Sequence, residues 1–308
     1  MNKLCTIIIV NWNTQDYLDK CLSSIYALYS TGEVSIIVID NASSDGSVEM
    51  VRTKYPQVVL VSNEENVGFA KACNQGIQKA ETDYVLLLNS DCEVTSPDLL
   101  RNVVAVFEQD QTVGIAGPLI LYPNGKIQSA GERYLTLGRV FREQILFSAA
   151  PVFAKHVARE EGKLGAKPFR VDWVSGSCLF AHKKVFAKVG LLREDFYMYA
   201  EDMEFCHRAN KAGYASVIVP SASVVHHKSM STNKNLSRVL RYSIRNNCHF
   251  IKFNQGIIAA LLALFFYSIG ILLRFFLAYF RKGASPFAWF GLLVAMPGIT
   301  RKVVKSKW

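Results

Sequence analysis

Three groups of residues in this chain have the types and spacing to do chemistry. The first is Asn89-Ser90-Asp91, with Glu93 just beyond, which cuts off the apolar run Val85–Leu88. Four or five apolar residues bounded by polar ones read as a buried strand of a parallel sheet. Ligands of open α/β sheets bind outside the carboxyl ends of such strands. A carboxylate at that lip is a candidate ligand for a hard cation, and through the cation for a diphosphate. Taken alone, Asp91 also reads as a turn residue capping the next helix. The second group is Glu201-Asp202, which opens a helical pattern with Phe205, Cys206 and Ala209. Acidic residues also suit a first helical turn as partners of the helix dipole. The third is His226-His227, beyond the strand-like run Tyr214–Val219.

Hydrophobic periodicity supplies the elements that must position these groups. Cys5–Val10 is a strand ending at Asn11-Trp12-Asn13, and Thr14 caps a helix with Leu18, Cys21, Leu22, Ile25 and Leu28 inward. Ser35–Ile39 is a second strand with Asp40-Asn41 at its carboxyl end, followed by a turn, Ser43 to Gly46, into a helix that stops before Pro56. Val58–Val61 is a third strand, and Asn66-Val67-Gly68-Phe69 leads into a helix with Phe69, Cys73, Ile77 and Ala80 on one face. Val85–Leu88 is the fourth strand, and Ser96-Pro97 starts a helix with Leu100, Val103, Val104 and Phe107 inward. Strand and helix thus alternate four times over the first ~110 residues, which predicts an α/β fold, a parallel sheet with helices on both faces. The first, second and fourth strands each end in Asn or Asp, and three such ends on one rim look like a nucleotide pocket. Neither GxGxxG nor GxxxxGK[ST] occurs, so a diphosphate would be held by metal and basic side chains instead. Further on, Gly114–Leu121 and Cys178–His182 read as strands. Residues 131–170 lack clean periodicity and read as a binding loop or lid.

Composition narrows the function classes. Half of the 308 residues are hydrophobic and 19% are charged, which excludes both a disordered chain and a wholly membrane-embedded bundle. A net charge of +10 suits nucleic acid, anionic lipid or phosphorylated ligands. No zinc-finger or RNA-binding signature accompanies it, so nucleic acid is set aside as a partner. The seven cysteines are scattered singly, without a CxxC pair, as thiols in a reducing compartment would be. Leu4–Val10 is too short for the core of a signal peptide and reads as a strand, so the catalytic part is expected to face the cytoplasm.

Seven segments in order carry a resemblance: IIIVNWN (7–13), VIDNASSDGS (38–47), NVGFAKACNQGI (66–77), LLLNSDCEV (86–94), SGSCLFAHKKVFAKVG (175–190), FYMYAEDMEFCHRANKAGY (196–214) and VVHHKSMS (224–231). From about residue 6 to residue 247 the chain resembles the inverting glycosyltransferases of family 2, which have a GT-A fold, and among them bacterial rhamnosyltransferases of cell-wall and O-antigen assembly. The QxxRW motif of processive synthases is absent, which favours transfer of a single sugar. The resemblance implies that Asn11, Asn13, Asp40 and Asn41 line the nucleobase and ribose pocket. Asn66, Gly68, Phe69 and Asn74 shape the floor under the nucleotide, and Lys71 approaches the diphosphate. Asp91 stands at the last position of the family's DxD motif and ligates Mg2+ or Mn2+; Asn89 stands at the first, a departure from two carboxylates. His226 resembles the family's downstream metal-side histidine, with His227 as its rival, and Asp202 is the expected catalytic base. Trp173, Gly176, Glu201 and Arg245 are candidates for acceptor or diphosphate contacts; Trp173 also reads as core packing, and Arg245, with Arg241 and Asn246, as a solvated helix face. The implied partners are a nucleotide-diphosphate sugar, with dTDP-L-rhamnose the best guess and UDP-hexose or UDP-galactofuranose the alternatives, and a saccharide on a polyprenyl diphosphate. A second class, a non-catalytic membrane scaffold of a glycan assembly complex, would be marked by loss of the acidic residues at 91 and 202; both are present.

The end of the chain is different. Gln255–Leu273 carries no formal charge, Arg274 interrupts the run, Phe275–Phe280 continues it, and Arg281-Lys282 close it. A second apolar run, Ala284–Ile299, is broken by Pro286 and Pro297, and Arg301, Lys302, Lys305 and Lys307 follow. A span needs about 20 apolar residues, so the first run suffices narrowly, with Arg274 snorkelling. The preferred reading is a helical hairpin dipping into the inner leaflet with its basic ends on anionic lipid headgroups; full spanning and a buried soluble helix pair are the alternatives. The expected organisation is a GT-A domain over 1–250, with a nucleotide-binding half (1–112) and an acceptor half (113–250), and a membrane-associated segment over 251–308, at the cytoplasmic face of a bacterial inner membrane.

Overall fold

The alternation read from the sequence builds one half of a sheet. In the computed structural model, which describes residues 3–147, 167–227, 236–280 and 287–306, β1 (Cys5–Asn11), α1 (Gln15–Leu28), β2 (Val34–Asp40), α2 (Ser47–Lys54), β3 (Val59–Ser62), α3 (Phe69–Lys79) and β4 (Tyr84–Asn89) follow the expected order. β1 lies between β2 and β4 and is parallel to both. Ile7, Ile8 and Ile9 of β1 and Leu86, Leu87 and Leu88 of β4 are all buried. Burial on both faces is why these strands read as unbroken apolar runs. The chain steps outward from β1 to β3, then returns to the other side of β1 as β4. That reversal is the topological switch point at which open α/β sheets bind ligands.

The other half of the sheet departs from a purely parallel reading. Next come β5 (Cys92–Val94), α4 (Leu99–Gln109), β6 (Val113–Leu121), β7 (Ile127–Gln128), β8 (Gly131–Glu132) and α5 (Leu137–Ile145). After them come β9 (Phe169–Val171), β10 (Trp173–Val174), β11 (Cys178–His182), α6 (Lys183–Val189), α7 (Glu201–Lys211) and β12 (Ala215–His226). The main path runs β3-β2-β1-β4-β11-β6-β12-β5. β11 is antiparallel to both β4 and β6, and β12 is antiparallel to β5. A short apolar run looks the same in either direction, so strand polarity was not legible.

Contacts gather the chain into two compact units. One comprises residues 1–133, 151–197 and 201–231; the other comprises residues 134–150, 198–200 and 232–308. In the second unit α8 (Leu236–Phe280) packs against α5 and against α9 (Phe287–Lys305). The stretch read as irregular therefore contains a helix, α5, whose Thr136 cap accepts from Arg139 N–H. Gly256, at φ 89°, breaks α8 just inside the uncharged run. Val239–Tyr279 is nonetheless long and apolar enough to cross a membrane, the one such helix among the described residues. Pro297 does not end α9, as expected for a helix interior, but lies inside it. Leu292, Met296, Ile299 and Val303 form one buried stripe along α9, and their packing carries the helix past the missing N–H. Arg274 does not snorkel: its guanidinium donates to Gln144 Oε1 at 2.9 Å and to the Glu143 carbonyl at 3.2 Å, both on α5. Residues 228–231 of the VVHHKSMS segment, residues 148–166 of the expected lid, and Arg281-Lys282 lie outside the described residues.

Candidate active site and cation centre

At the carboxyl ends of β1 and β2 the polar side chains predicted for the nucleotide pocket meet. Asn11 Nδ2 donates to Asp40 Oδ1 at 2.8 Å and to Ser43 Oγ at 3.1 Å. Asp40 Oδ2 accepts from Ser43 N–H, and Asn13 Oδ1 from Ser44 N–H, both at 2.8 Å. Asn41 Nδ2 donates to the Gly68 carbonyl at 3.3 Å, while its Oδ1 accepts from Asn63. Asn11, Asp40 and Asn41 are almost wholly buried; Asn11 and Asp40 pair side chain to side chain, and Asn41 N–H donates to the Asn11 carbonyl at 2.8 Å. The Thr14 hydroxyl does not cap α1; it donates to Asn11 Oδ1 and meets Ser90 Oγ. The Asp45 carboxylate caps that helix instead, accepting from Gln15 N–H at 2.8 Å. The polar cluster outcompetes the local cap because its groups are buried and need partners.

The floor is set at the start of α3. Asn66 Oδ1 accepts from Gly68 N–H and from the Tyr197 hydroxyl, both at 3.0 Å. Gly68 has φ 87°, and a Cβ there would lie 2.7 Å from the Tyr197 carbonyl oxygen, so only glycine fits. Phe69 N–H donates to that same carbonyl. Lys71 is exposed on the first turn of α3. Asn74 is buried, its amide taken by the Leu192 backbone and Glu194, so it ties α3 to residues 192–194 from behind.

Asp91 lies in the turn between β4 and β5, and pairing of Cys92 with His226 sets β12 beside it. His226 Nε2 is 3.1 Å from Asp91 Oδ1 and 3.5 Å from Asn89 Nδ2. The rival histidine turns elsewhere: His227 Nε2 meets Glu93 Oε1 at 2.8 Å. Asp91, Cys92 and His226 offer ligand atoms within 4.8 Å of one another. Burial pushes the Cys92 thiol well above its ordinary pKa, and its Sγ–H faces the Ser177 carbonyl, so it stays protonated and is a poor ligand for a hard cation. One carboxylate oxygen and one imidazole nitrogen remain. Neighbouring ligands of an octahedral ion bound at about 2.1 Å lie roughly 3.0 Å apart, so the Asp91–His226 spacing fits Mg2+ or Mn2+.

Asp202 sits in the first turn of α7, held by main-chain donors. Gly176 N–H donates to Oδ2 and Met203 N–H to Oδ1, each at 2.8 Å. Burial pushes its carboxyl above the ordinary value, and these two hydrogen bonds only partly offset that. Glu201 is buried, and its Oε2 has no hydrogen-bond partner. Burial, and then the charge of Asp202, push the Glu201 carboxyl well up. The two carboxylate centres are linked through the chain: Asn89 N–H donates to the Ser177 carbonyl at 3.0 Å, and the preceding residue, Gly176, holds Asp202. A Cβ on Gly176 would lie 3.3 Å from Phe69 and 3.4 Å from Asp202 Oδ2, so all three are packed together. Trp173 is half-buried against the core and donates to the Arg133 carbonyl. Arg245 and Asn246 belong to the second unit, where Asn246 is fully buried and donates to the Met198 and Tyr199 carbonyls; it is no part of a solvated face. Gln128, which touches His226 twice, had no signal in the sequence.

A mixed, mostly parallel sheet with this site at its switch point is a GT-A fold, and solved glycosyltransferases share it. GalNAc-T7, crystallised with UDP, GalNAc and Mn2+, aligns at TM-score 0.59 and 18% identity over 80% of this chain, which spans 47% of that protein. The mannosyltransferase PcManGT from Pyrobaculum calidifontis, in complex with GDP-Man and Mn2+, aligns at TM-score 0.58 and 17% identity over 100% of this chain and 89% of its own. The sequence is more specific. It matches Glycosyl transferase family 2 over residues 6–155 and Glycosyl transferase family group 2 over residues 84–300. The N-acetylglucosaminyl-diphospho-decaprenol L-rhamnosyltransferase of Mycobacterium tuberculosis is 30% identical over 245 residues, 76% of this chain and 79% of that protein. A low-salt glycan biosynthesis hexosyltransferase of Haloferax volcanii is 30% identical over 210 residues, 67% of this chain and 61% of its own. The chain belongs to glycosyltransferase family 2, and the resemblance drawn from its motifs is borne out.

Proposed function

We propose that this enzyme moves one sugar, with inversion, from a nucleoside-diphosphate donor to a saccharide carried on a polyprenyl diphosphate, and that the donor is dTDP-L-rhamnose. The observation that carries the reading is the pair of unlike carboxylates joined through Gly176 and Ser177: Asp91 facing a histidine, Asp202 half-buried and held by main-chain amides. The sugar and the acceptor class are taken from the 30% identical relative's name, and the dTDP carrier from the family resemblance.

Asp202 accepts the proton of the attacking acceptor hydroxyl as its oxygen bonds to the anomeric carbon and the bond from that carbon to the diphosphate oxygen breaks. The electron pair leaves with the diphosphate, so no nucleophile from the protein is needed. A positioned base contributes about 10²–10⁴-fold. Asp91 and His226 would hold Mg2+ or Mn2+, which supplies Lewis-acid stabilisation of the leaving diphosphate. Asn11, Asn13, Asp40 and Asn41 shape the nucleoside wall, Asn66, Gly68 and Phe69 the floor, and exposed Lys71 meets the diphosphate. By function, residues 1–112 grip the nucleotide and 113–250 the acceptor.

Residues 251–308 we read as the membrane-associated segment, on the cytoplasmic face of a bacterial inner membrane. Ile258, Leu261, Leu262, Phe265, Leu272 and Phe276 of α8 are exposed, and at 100° per residue they share an arc of about 100°. Arg301, Lys302 and Lys305 are exposed at the end of α9, in reach of anionic headgroups. Arg274, engaged by polar groups of α5 along the back of α8, favours a hairpin dipping into one leaflet over a full span.

The test is release of nucleoside diphosphate by purified protein with Mg2+ or Mn2+ and a short polyprenyl-diphosphate saccharide. dTDP-L-rhamnose is run against UDP-hexoses and UDP-galactofuranose. Asp202→Asn is expected to lower kcat by about 10²–10⁴-fold while nucleotide binding survives. A fully active Asp202→Asn would overturn the base assignment, and turnover of a UDP-sugar alone would overturn the donor.

A further inference from the structure

We propose that Gln128 is the positioning residue of the cation centre, a single amide that grips His226 at both its main chain and its ring and so decides which ring nitrogen faces Asp91. The inference rests on the reading of Asp91 and His226 as the metal pair.

Gln128 ends the two-residue strand β7, where it is registered opposite Ile120 of β6. Its side chain is buried. A buried amide is costly unless its donors and acceptor are all paired, and here they are. Nε2 donates to the His226 carbonyl at 2.6 Å and to the Leu121 carbonyl at 3.2 Å. Both amide hydrogens are thereby used, and Oε1 is left facing His226 Nδ1 at 3.1 Å. An amide oxygen can only accept, so Nδ1 carries the proton.

The consequence falls on the other nitrogen. With Nδ1 hydrogen-bonded to Gln128, Nε2 is the ring nitrogen left facing Asp91 Oδ1 at 3.1 Å and the Asn89 amide nitrogen at 3.5 Å. Adjacent ligands of one octahedral ion have about this spacing, so Nε2 and Asp91 Oδ1 are placed to share a cation. The opposite tautomer would place a hydrogen where the ion must bind. Metal-bound histidines generally donate their second ring N–H to a fixed oxygen, and loss of that partner typically weakens metal binding about 10–100-fold. The tie to the His226 carbonyl adds a second constraint, because it holds the end of β12 to β7 so that the ring cannot rotate away as a unit with its backbone.

The experiment uses the full chain and Mn2+, read by electron paramagnetic resonance in the presence of dTDP. Gln128→Met keeps the volume and removes every polar contact; it is expected to weaken Mn2+ binding about 10–100-fold, with dTDP binding in chelator unchanged. Gln128→Asn, one methylene short, should lose as much although it keeps the amide. His226→Ala separates the two readings. If it binds Mn2+ as wild type does, the metal pair is wrong. If it loses Mn2+ while Gln128→Met binds normally, the metal pair stands and the role of Gln128 falls. Should the Gln128 variants fail to fold, long-range 1H–15N spectra of histidine-labelled wild type with Mg2+ decide the matter. A protonated Nδ1 on His226, assigned against His226→Ala, is expected; an unprotonated Nδ1 overturns the proposal.

Discussion

Asp91 and Asp202 are two carboxylates joined through the same turn of chain, and their surroundings are opposite. Asp91 is met by a side chain, the His226 imidazole nitrogen at 3.1 Å, which in turn lies 3.5 Å from the Asn89 amide. Asp202 is met by main chain, with one N–H from Gly176 and one from Met203. Side-chain nitrogen and oxygen donors that converge on one point can share an ion. Main-chain N–H groups cannot ligate a cation; they hold an anion in place and leave its remaining lone pairs free. Burial then raises the affinity of Asp202 for a proton, which is what a general base needs. The contrast teaches that what kind of group reaches each carboxylate favours a different proposed role for it, and the two roles are expected to break separately.

The largest effect expected from breaking the Asp91 side alone is the loss of metal dependence. Asp91→Asn should lower kcat/KM by about a hundredfold or more, the several kcal/mol that a Lewis acid supplies. Its residual activity should no longer respond to EDTA, and its Mn2+ affinity should fall. Asp202→Asn, by contrast, should keep wild-type Mn2+ binding while losing turnover. If Asp202→Asn also loses Mn2+, the two centres are one, and the comparison fails.

How much of this was legible in the sequence follows from the same contrast. The strand ends were readable because each apolar run stops at Asn or Asp: Asn11, Asp40 and Asn89 all fell where the periodicity put them. His226 was named over His227 by the resemblance alone, since residue types cannot make that choice: it depends on the register of β12 against β5, a three-residue strand with no pattern of its own. Gln128 was invisible for the same reason, sitting in a two-residue strand after a turn. α5 was hidden because its polar positions, Arg139, Glu143 and Gln144, belong to a helix that packs against α8, not against the sheet. Glu201 and Asp202 are neighbours of the same charge; the resemblance already named Asp202 as the base, and the structure adds that Glu201 is the more deeply buried of the two.

A smaller effect should appear in the pH profile. Because burial raises the Asp202 carboxyl, the acid limb of kcat/KM should lie above the ordinary carboxylate value of 3.8. Activity is lost as pH falls through the raised value, where the base becomes protonated. The Gly176 N–H pulls the other way, favouring the charged form. Gly176→Ala places a Cβ 3.3 Å from Phe69, with Asp202 Oδ2 in contact at 3.4 Å, and the backbone shift that relieves Phe69 should lengthen that hydrogen bond. Its acid limb should then move to higher pH, with kcat reduced by about tenfold, or about 1.4 kcal/mol. An acid limb that moves to lower pH would mean that Gly176 does not hold the base in its charged form.

The smallest effect on turnover is expected at the neighbouring residue. Glu201 is buried with an unpartnered Oε2, and its proton is held well above the ordinary range by burial and by the charge beside it. It is therefore neutral while Asp202 is charged, and Glu201→Gln replaces one neutral group by another of nearly the same shape. Turnover should change by less than about tenfold, whereas a role for Glu201 as the base would make the variant as inactive as Asp202→Asn. Stability distinguishes the two further. A carboxyl whose folded pKa is raised favours the folded state fully below its unfolded value, 4.5, and loses that contribution as pH rises toward the folded value. Glutamine does not titrate. The melting temperature of Glu201→Gln relative to wild type should therefore climb as pH rises from 4 to 8, and a difference that stays flat across that range would place Glu201 in contact with solvent rather than behind the base.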